Sequence, residues 1–85
     1  MEKMASSSQL NQECAQLLKA ERKKRGLTQW QLADKLGCQQ PLVAKIERAG
    51  RRLDVAEFME VAQAIGVDPS RIIKKLLAEP AAPRR

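Results

Sequence analysis

QWQLADKLGCQQPLVAKIER, residues 29–48, is the stretch that decides the fold. It reads as two short helices that meet at a steep angle across a tight turn. Such a crossing needs a small residue where the two helices come closest, and Ala33 stands there. The turn needs a left-handed residue, a conformation that Gly37 takes without a Cβ penalty. An apolar side must then pin the pair together, and Leu32, Leu36, Val43 and Ile46 supply it. Each of these residues is common by itself. The joint spacing of Ala33, Gly37, Val43 and Ile46 within short helices is specific.

The flanks extend the same pattern. Thr28 and Gln31 fit a capping box at the start of the first of these helices. The second begins near Gln39 to Pro41. Upstream, Gln9 to Lys24 reads as a helix with Leu10, Cys14, Leu17 and Leu18 on one face, ended by Gly26. Downstream, Asp54 with Glu57 makes a second capping box, and the inward stripe is expected to be Val55, Phe58, Met59, Ala62 and Ile65, closed by Gly66. Asp68-Pro69 opens a last helix with Ile72, Ile73, Leu76 and Leu77 as its apolar face. Residues 9–78 thus form one domain, between a loose leader at 1–8 and a tail at 79–85 that carries two prolines and two arginines.

Composition agrees with an all-α domain. One Trp, one Phe and no Tyr are too few aromatics for a strand-rich protein, and Ala, Leu, Lys, Glu, Gln and Arg favour helix. The formal net charge of +6 suits a polyanionic partner, either nucleic acid or an acidic membrane surface. Cations gather at Lys19, Arg22, Lys23, Lys24 and Arg25, and again at Lys45, Arg48, Arg51 and Arg52, whereas residues 54–70 carry acids alone. Cys14 and Cys38, with no His in the chain, form neither a disulfide framework nor a zinc site and read as reduced thiols. No run approaches the length of a signal-peptide core or a membrane span, so a cytoplasmic protein is expected. No Gly-rich phosphate loop and no nucleophile with a base is present, so neither an enzyme nor a cofactor or small-molecule ligand is implied.

The pieces RKKRGLTQWQLADKLG, the turn with the following helix, IER at 46–48 and RRLDVAEFMEVAQAIGVDP resemble the Cro/CI-type (Xre-like) helix-turn-helix domains of phage repressors and bacterial regulators. The resemblance covers Leu17 to Leu77. It implies a compact five-helix domain that binds double-stranded DNA as a homodimer on a two-fold operator, most simply as a transcriptional repressor. Arg22 and Glu47 match the family's structural ion pair between the first and third helices. Gln29 matches its phosphate-binding glutamine, and Gln39, Gln40, Pro41, Ala44 and Lys45 occupy the base-facing positions. Two residues depart from the pattern. Gln39 replaces the usual Ser or Thr cap, and Pro41, which lacks an amide hydrogen, fits only the first turn.

Individual side chains carry a plain reading and a sharper one. Gln40 is either solvated or a reader of adenine, whose paired donor and acceptor a carboxamide matches. Lys45 is either a plain surface lysine or, as preferred, a DNA contact, with base and phosphate both open to it. Arg48, Arg51 and Arg52 are the better phosphate candidates; Lys23, Lys24 and Arg25 are divided between phosphate and a solvated face. Trp30 is either an interface residue or, as preferred, packed within the monomer. Part of the Ile72, Ile73, Leu76 and Leu77 stripe exceeds what a small core needs, and Leu76 and Leu77 are the expected dimer interface. Two other functional classes stay open: an antitoxin-like module that mainly holds a protein partner, and a basic amphipathic protein at a membrane surface. The latter gives no reason for the Ala33–Gly37 spacing.

Overall fold

Local rules at the helix ends set out most of the architecture of residues 5–78, the part described by the computed structural model. The helices are α1 (Ala5–Lys24), α2 (Gln29–Leu36), α3 (Gln40–Glu47), α4 (Val55–Ile65) and α5 (Pro69–Ala78). No strand occurs among the described residues, so the fold is all-α. Helix α1 starts at Ala5 rather than Gln9. No proline or glycine stands between these positions to stop it, and the serines at 6–8 are tolerated. The proposed tail, 79–85, and the first four residues of the leader lie outside the described residues.

Two helices begin with reciprocal caps. Thr28 Oγ1 accepts from the Gln31 amide at 3.0 Å, and Gln31 Oε1 accepts from the Thr28 amide at 2.9 Å. Asp54 and Glu57 repeat the arrangement at 2.7 and 3.0 Å. Helix α3 has no such device. Gln39 precedes it with extended backbone and no side-chain cap, and Pro41 sits in its first turn.

Helices α1 to α4 all end in one two-bond pattern. In α2, Gly37 N–H donates to Asp34 O and Cys38 N–H to Ala33 O. In α3, Ala49 N–H donates to Ile46 O at 3.0 Å and Gly50 N–H to Lys45 O at 2.8 Å. This pattern requires a left-handed residue at its first position. Gly26, Gly37 and Gly66 fill it elsewhere, but α3 uses Ala49, at φ 61°. Left-handed backbone costs a residue with a Cβ about 1–2 kcal/mol, partly offset in glycine by its greater freedom when unfolded. Ala49→Gly is therefore expected to stabilise the domain by about 0.5–1 kcal/mol and raise Tm by roughly 2–8 °C. Far-UV melting checks it, and an unchanged or lowered Tm would remove the strain from the account.

Leu18, Leu32, Val43 and Ile72 are fully buried and come from α1, α2, α3 and α5. Val61, Ala62 and Ile65 of α4 complete the centre. The α4 stripe differs from the one predicted. Val55 is 75% exposed and Met59 is also exposed, while Val61 is buried. Met59 lies about 100° round the helix from Phe58, away from the Phe58–Val61–Ala62–Ile65 line. Val55 is on that line but sits in the first turn, at the rim of an open groove. Trp30 is likewise not packed within the monomer: it is 67% exposed. Its position in α2 is about 160° round the helix from buried Leu32, and about 60° from Ala33, at the outer edge of the buried side.

Candidate nucleic-acid interface

Helix α3 presents Gln39, Pro41 and Lys45 to solvent, with Gln40 and Ala44 half-buried beside them. Gln40 is the inner end of a chain of side chains. Its Nε2 donates to Gln29 Oε1 at 2.8 Å. Gln29 Nε2 donates to Glu47 Oε1 at 3.0 Å. Arg22 closes the chain, with Nε on Glu47 Oε2 at 2.6 Å and Nη2 on Oε1 at 3.1 Å, while its Nη1 donates to Leu27 O at 2.6 Å. Both members of the Arg22–Glu47 pair are buried. The chain therefore ties α1, α2 and α3 together at the start and the end of α3.

The orientation of each amide follows from the carboxylate. Glu47 is acceptor-only, so Gln29 must turn its NH2 toward it and its carbonyl toward Gln40. Gln40 then answers with one N–H. It keeps a second N–H and its whole carbonyl for another partner, which is the donor and acceptor pair that an adenine edge requires. Gln29 likewise keeps one amide hydrogen, close to the unpaired backbone amides of the first turn of α2, where an anion is favoured.

The basic clusters divide on inspection. Arg48 and Arg52 are exposed. Arg51 is held by Glu57, with Nη2 on Oε2 at 2.6 Å and Nη1 on Oε1 at 3.2 Å. In the earlier cluster, Arg22 serves Glu47, and Glu21 gathers the rest. Glu21 is buried; it accepts from Arg25, and Lys24 and Lys75 lie 3.8 and 3.7 Å away. The Arg25 hydrogen bond, aided by these cations, holds its carboxyl below the usual range against the opposing effect of burial. Glu21 thus pins α5 to α1. Sequence reading missed it, because an acid amid five cations resembles one member of a solvated face, and its α5 partner is remote in the chain.

At the proposed interface between copies, Leu76 is half-buried against the core and Leu77 is exposed. Cys38 is packed against the core beside the turn, and so is Cys14, whose thiol burial pushes up. Both cysteines are free. No helix among the described residues is long and apolar enough to cross a membrane.

A helix-turn-helix family model matches residues 18–72. Among solved structures, the chain is similar to an XRE-family like protein from Pseudomonas syringae pv. tomato str. DC3000. The two are 44% identical over 84% of this chain and 87% of that one, with a TM-score of 0.78. No curated protein matches the chain.

Proposed function

Because the chain belongs to the XRE-type helix-turn-helix family and is a DNA-binding regulator, we propose that it is a dimeric repressor that reads a pseudo-palindromic operator through α3. The observation that carries this reading is the Gln40–Gln29 hydrogen bond. It aims a carboxamide from the start of α3 while leaving both of its recognition functions open. Gln39, Gln40, Pro41, Ala44 and Lys45 face the bases. Pro41 offers only apolar contact, such as to a thymine methyl, so hydrogen-bonded readout falls to Gln40, Gln39 and Lys45. Gln29 and Arg48 grip phosphate. Arg51 reaches a phosphate only by leaving Glu57. Two copies, joined through the α5 face that includes Leu76 and Leu77, place their α3 helices about 34 Å apart, one turn of DNA. Bound in this way, the dimer acts by occupancy, denying the site to polymerase.

Selection of bound fragments from random DNA, followed by binding titrations, tests the assignment. Gln40→Ala is expected to relax the preference at one base pair in each half-site, by about 1–3 kcal/mol. Arg48→Ala is expected to weaken all sequences alike. An unaltered base preference in Gln40→Ala would show that α3 is not seated as proposed.

A further inference from the structure

A glutamine free to rotate does not discriminate between the two purines. With one N–H and its carbonyl forward, the carboxamide matches the N6 donor and N7 acceptor pattern of adenine. With both N–H groups forward, it matches the N7 and O6 acceptors of guanine. Something must hold the amide in one of these two settings. Gln40 is held by Gln29, at 2.8 Å, and Gln29 is held by Glu47, at 3.0 Å. Glu47 itself is fixed. Arg22 grips it with Nε at 2.6 Å and Nη2 at 3.1 Å, and Arg22 is tethered in turn to Leu27 O at 2.6 Å. Arg22 and Glu47 are buried, and no buried side-chain polar atom among the described residues lacks a partner.

We propose that Glu47 is a positioning residue for base choice: acting through Gln29, it commits Gln40 to adenine and excludes guanine. The proposal rests on the reading of Gln40 as a base contact and adds what decides the base. A carboxylate only accepts, so it draws the NH2 of Gln29 inward. The Gln29 carbonyl then points at Gln40 and draws one N–H from it. One N–H and the carbonyl of Gln40 are left for the groove. To meet guanine, Gln40 would have to turn its carbonyl inward, onto the carbonyl of Gln29. If Gln29 turned as well, its carbonyl would fall on the Glu47 carboxylate. Either step sets two acceptors face to face with no hydrogen between them. Gln29 and Gln40 are half-buried and Glu47 is buried, so water does not readily replace the lost bond. A pure donor at position 29 would have the opposite effect. A lysine ammonium there can serve Glu47 with one N–H and Gln40 with another. Gln40 would then turn its carbonyl inward and show both N–H groups to the groove, the setting for guanine. A buried pair that touches no base thus selects between two bases through two amides.

Binding titrations of the full chain on two selected DNA fragments, with adenine or guanine at the pair that Gln40 reads, decide the matter. The parent is expected to favour adenine by about tenfold or more. Gln29→Lys leaves the Arg22–Glu47 pair intact and is expected to reverse the order, favouring guanine. Adding Gln40→Ala to it should abolish the new preference, which shows that the added cation does not read the base itself. Arg22→Met/Glu47→Leu removes the anchor and is expected to bring the two affinities within about threefold of each other. A variant that merely loosened the fold would weaken both fragments alike, so the ratio isolates positioning. If the double variant does not fold, Gln29→Lys decides by itself. A full adenine preference in Gln29→Lys, or in a folded double variant, would overturn the role of Glu47. Loss of the preference in Gln40→Ala would then leave the reading of Gln40 standing. A parent preference that survives Gln40→Ala would overturn both.

Discussion

Glu47→Ala is expected to destabilise the domain by about 3–5 kcal/mol. A folded chain of this length holds only ~4–13 kcal/mol in all, so the variant should be largely unfolded near physiological temperature. The reason is the number of donors that Glu47 serves. It accepts Arg22 Nε and Nη2 and Gln29 Nε2, all within 3.1 Å. Removing the carboxylate leaves a buried guanidinium with one carbonyl for company, and sets free the amide that orients Gln40. The pair need not contribute much net stability while intact, since desolvating two charges nearly offsets their attraction. Breaking one side is what costs. Urea denaturation followed by far-UV circular dichroism supplies the test, with Arg22→Met, Glu47→Leu and the double variant completing a cycle. The double variant should be far less destabilised than the sum of the singles. Additive losses would mean that the contact carries no coupling.

DNA affinity is expected to fall about a hundredfold between 50 and 200 mM salt. Each phosphate neutralised contributes about −0.9 to the slope of log affinity against log salt. Counting both cations that α3 and its end bring against the DNA, Lys45 in the groove at the bases and Arg48 at phosphate, two copies displace about four counterions and give a slope near −3.6, or roughly two decades over that range. If Arg51 and Arg52 gripped phosphate as well, the slope would approach about −7. The smaller value is expected because Arg51 is bound to Glu57 and Arg52 borders the open groove beside Val55. Titrations on operator DNA at several salt concentrations separate the two. A slope near zero would exclude phosphate-driven binding altogether.

What could be read beforehand was whatever depends on neighbours in the chain. Thr28 with Gln31, Asp54 with Glu57, Gly37 and Asp68-Pro69 act within a turn of themselves, and each stands where its spacing predicts. What escaped reading depends on packing or on a shift of one residue. A glycine at 50 hides the fact that Ala49 takes the left-handed position. The α4 stripe could be drawn through Val55 and Met59 until a neighbouring helix determined which side Val61 faces. Glu21 meets Lys75 only after α5 has folded back on α1. The resemblance supplied roles for Gln29, Gln40 and Glu47 one at a time. That they form a single hydrogen-bonded chain is a property of helix placement, which no local spacing reports.

Trp30 has a consequence for how this protein interacts with light. It is the single tryptophan, the chain has no tyrosine, and 67% of its surface is open to water. An indole so placed emits from much the same solvent surroundings before and after the helices come apart. The other aromatic, Phe58, absorbs too weakly to speak for the interior. Collapse of the packing around Leu18, Leu32, Val43 and Ile72 would therefore pass almost unseen in intrinsic emission and in the near ultraviolet. Optically, the folded core is dark, and a loosened globule would resemble the native protein to any instrument that watches only its chromophore.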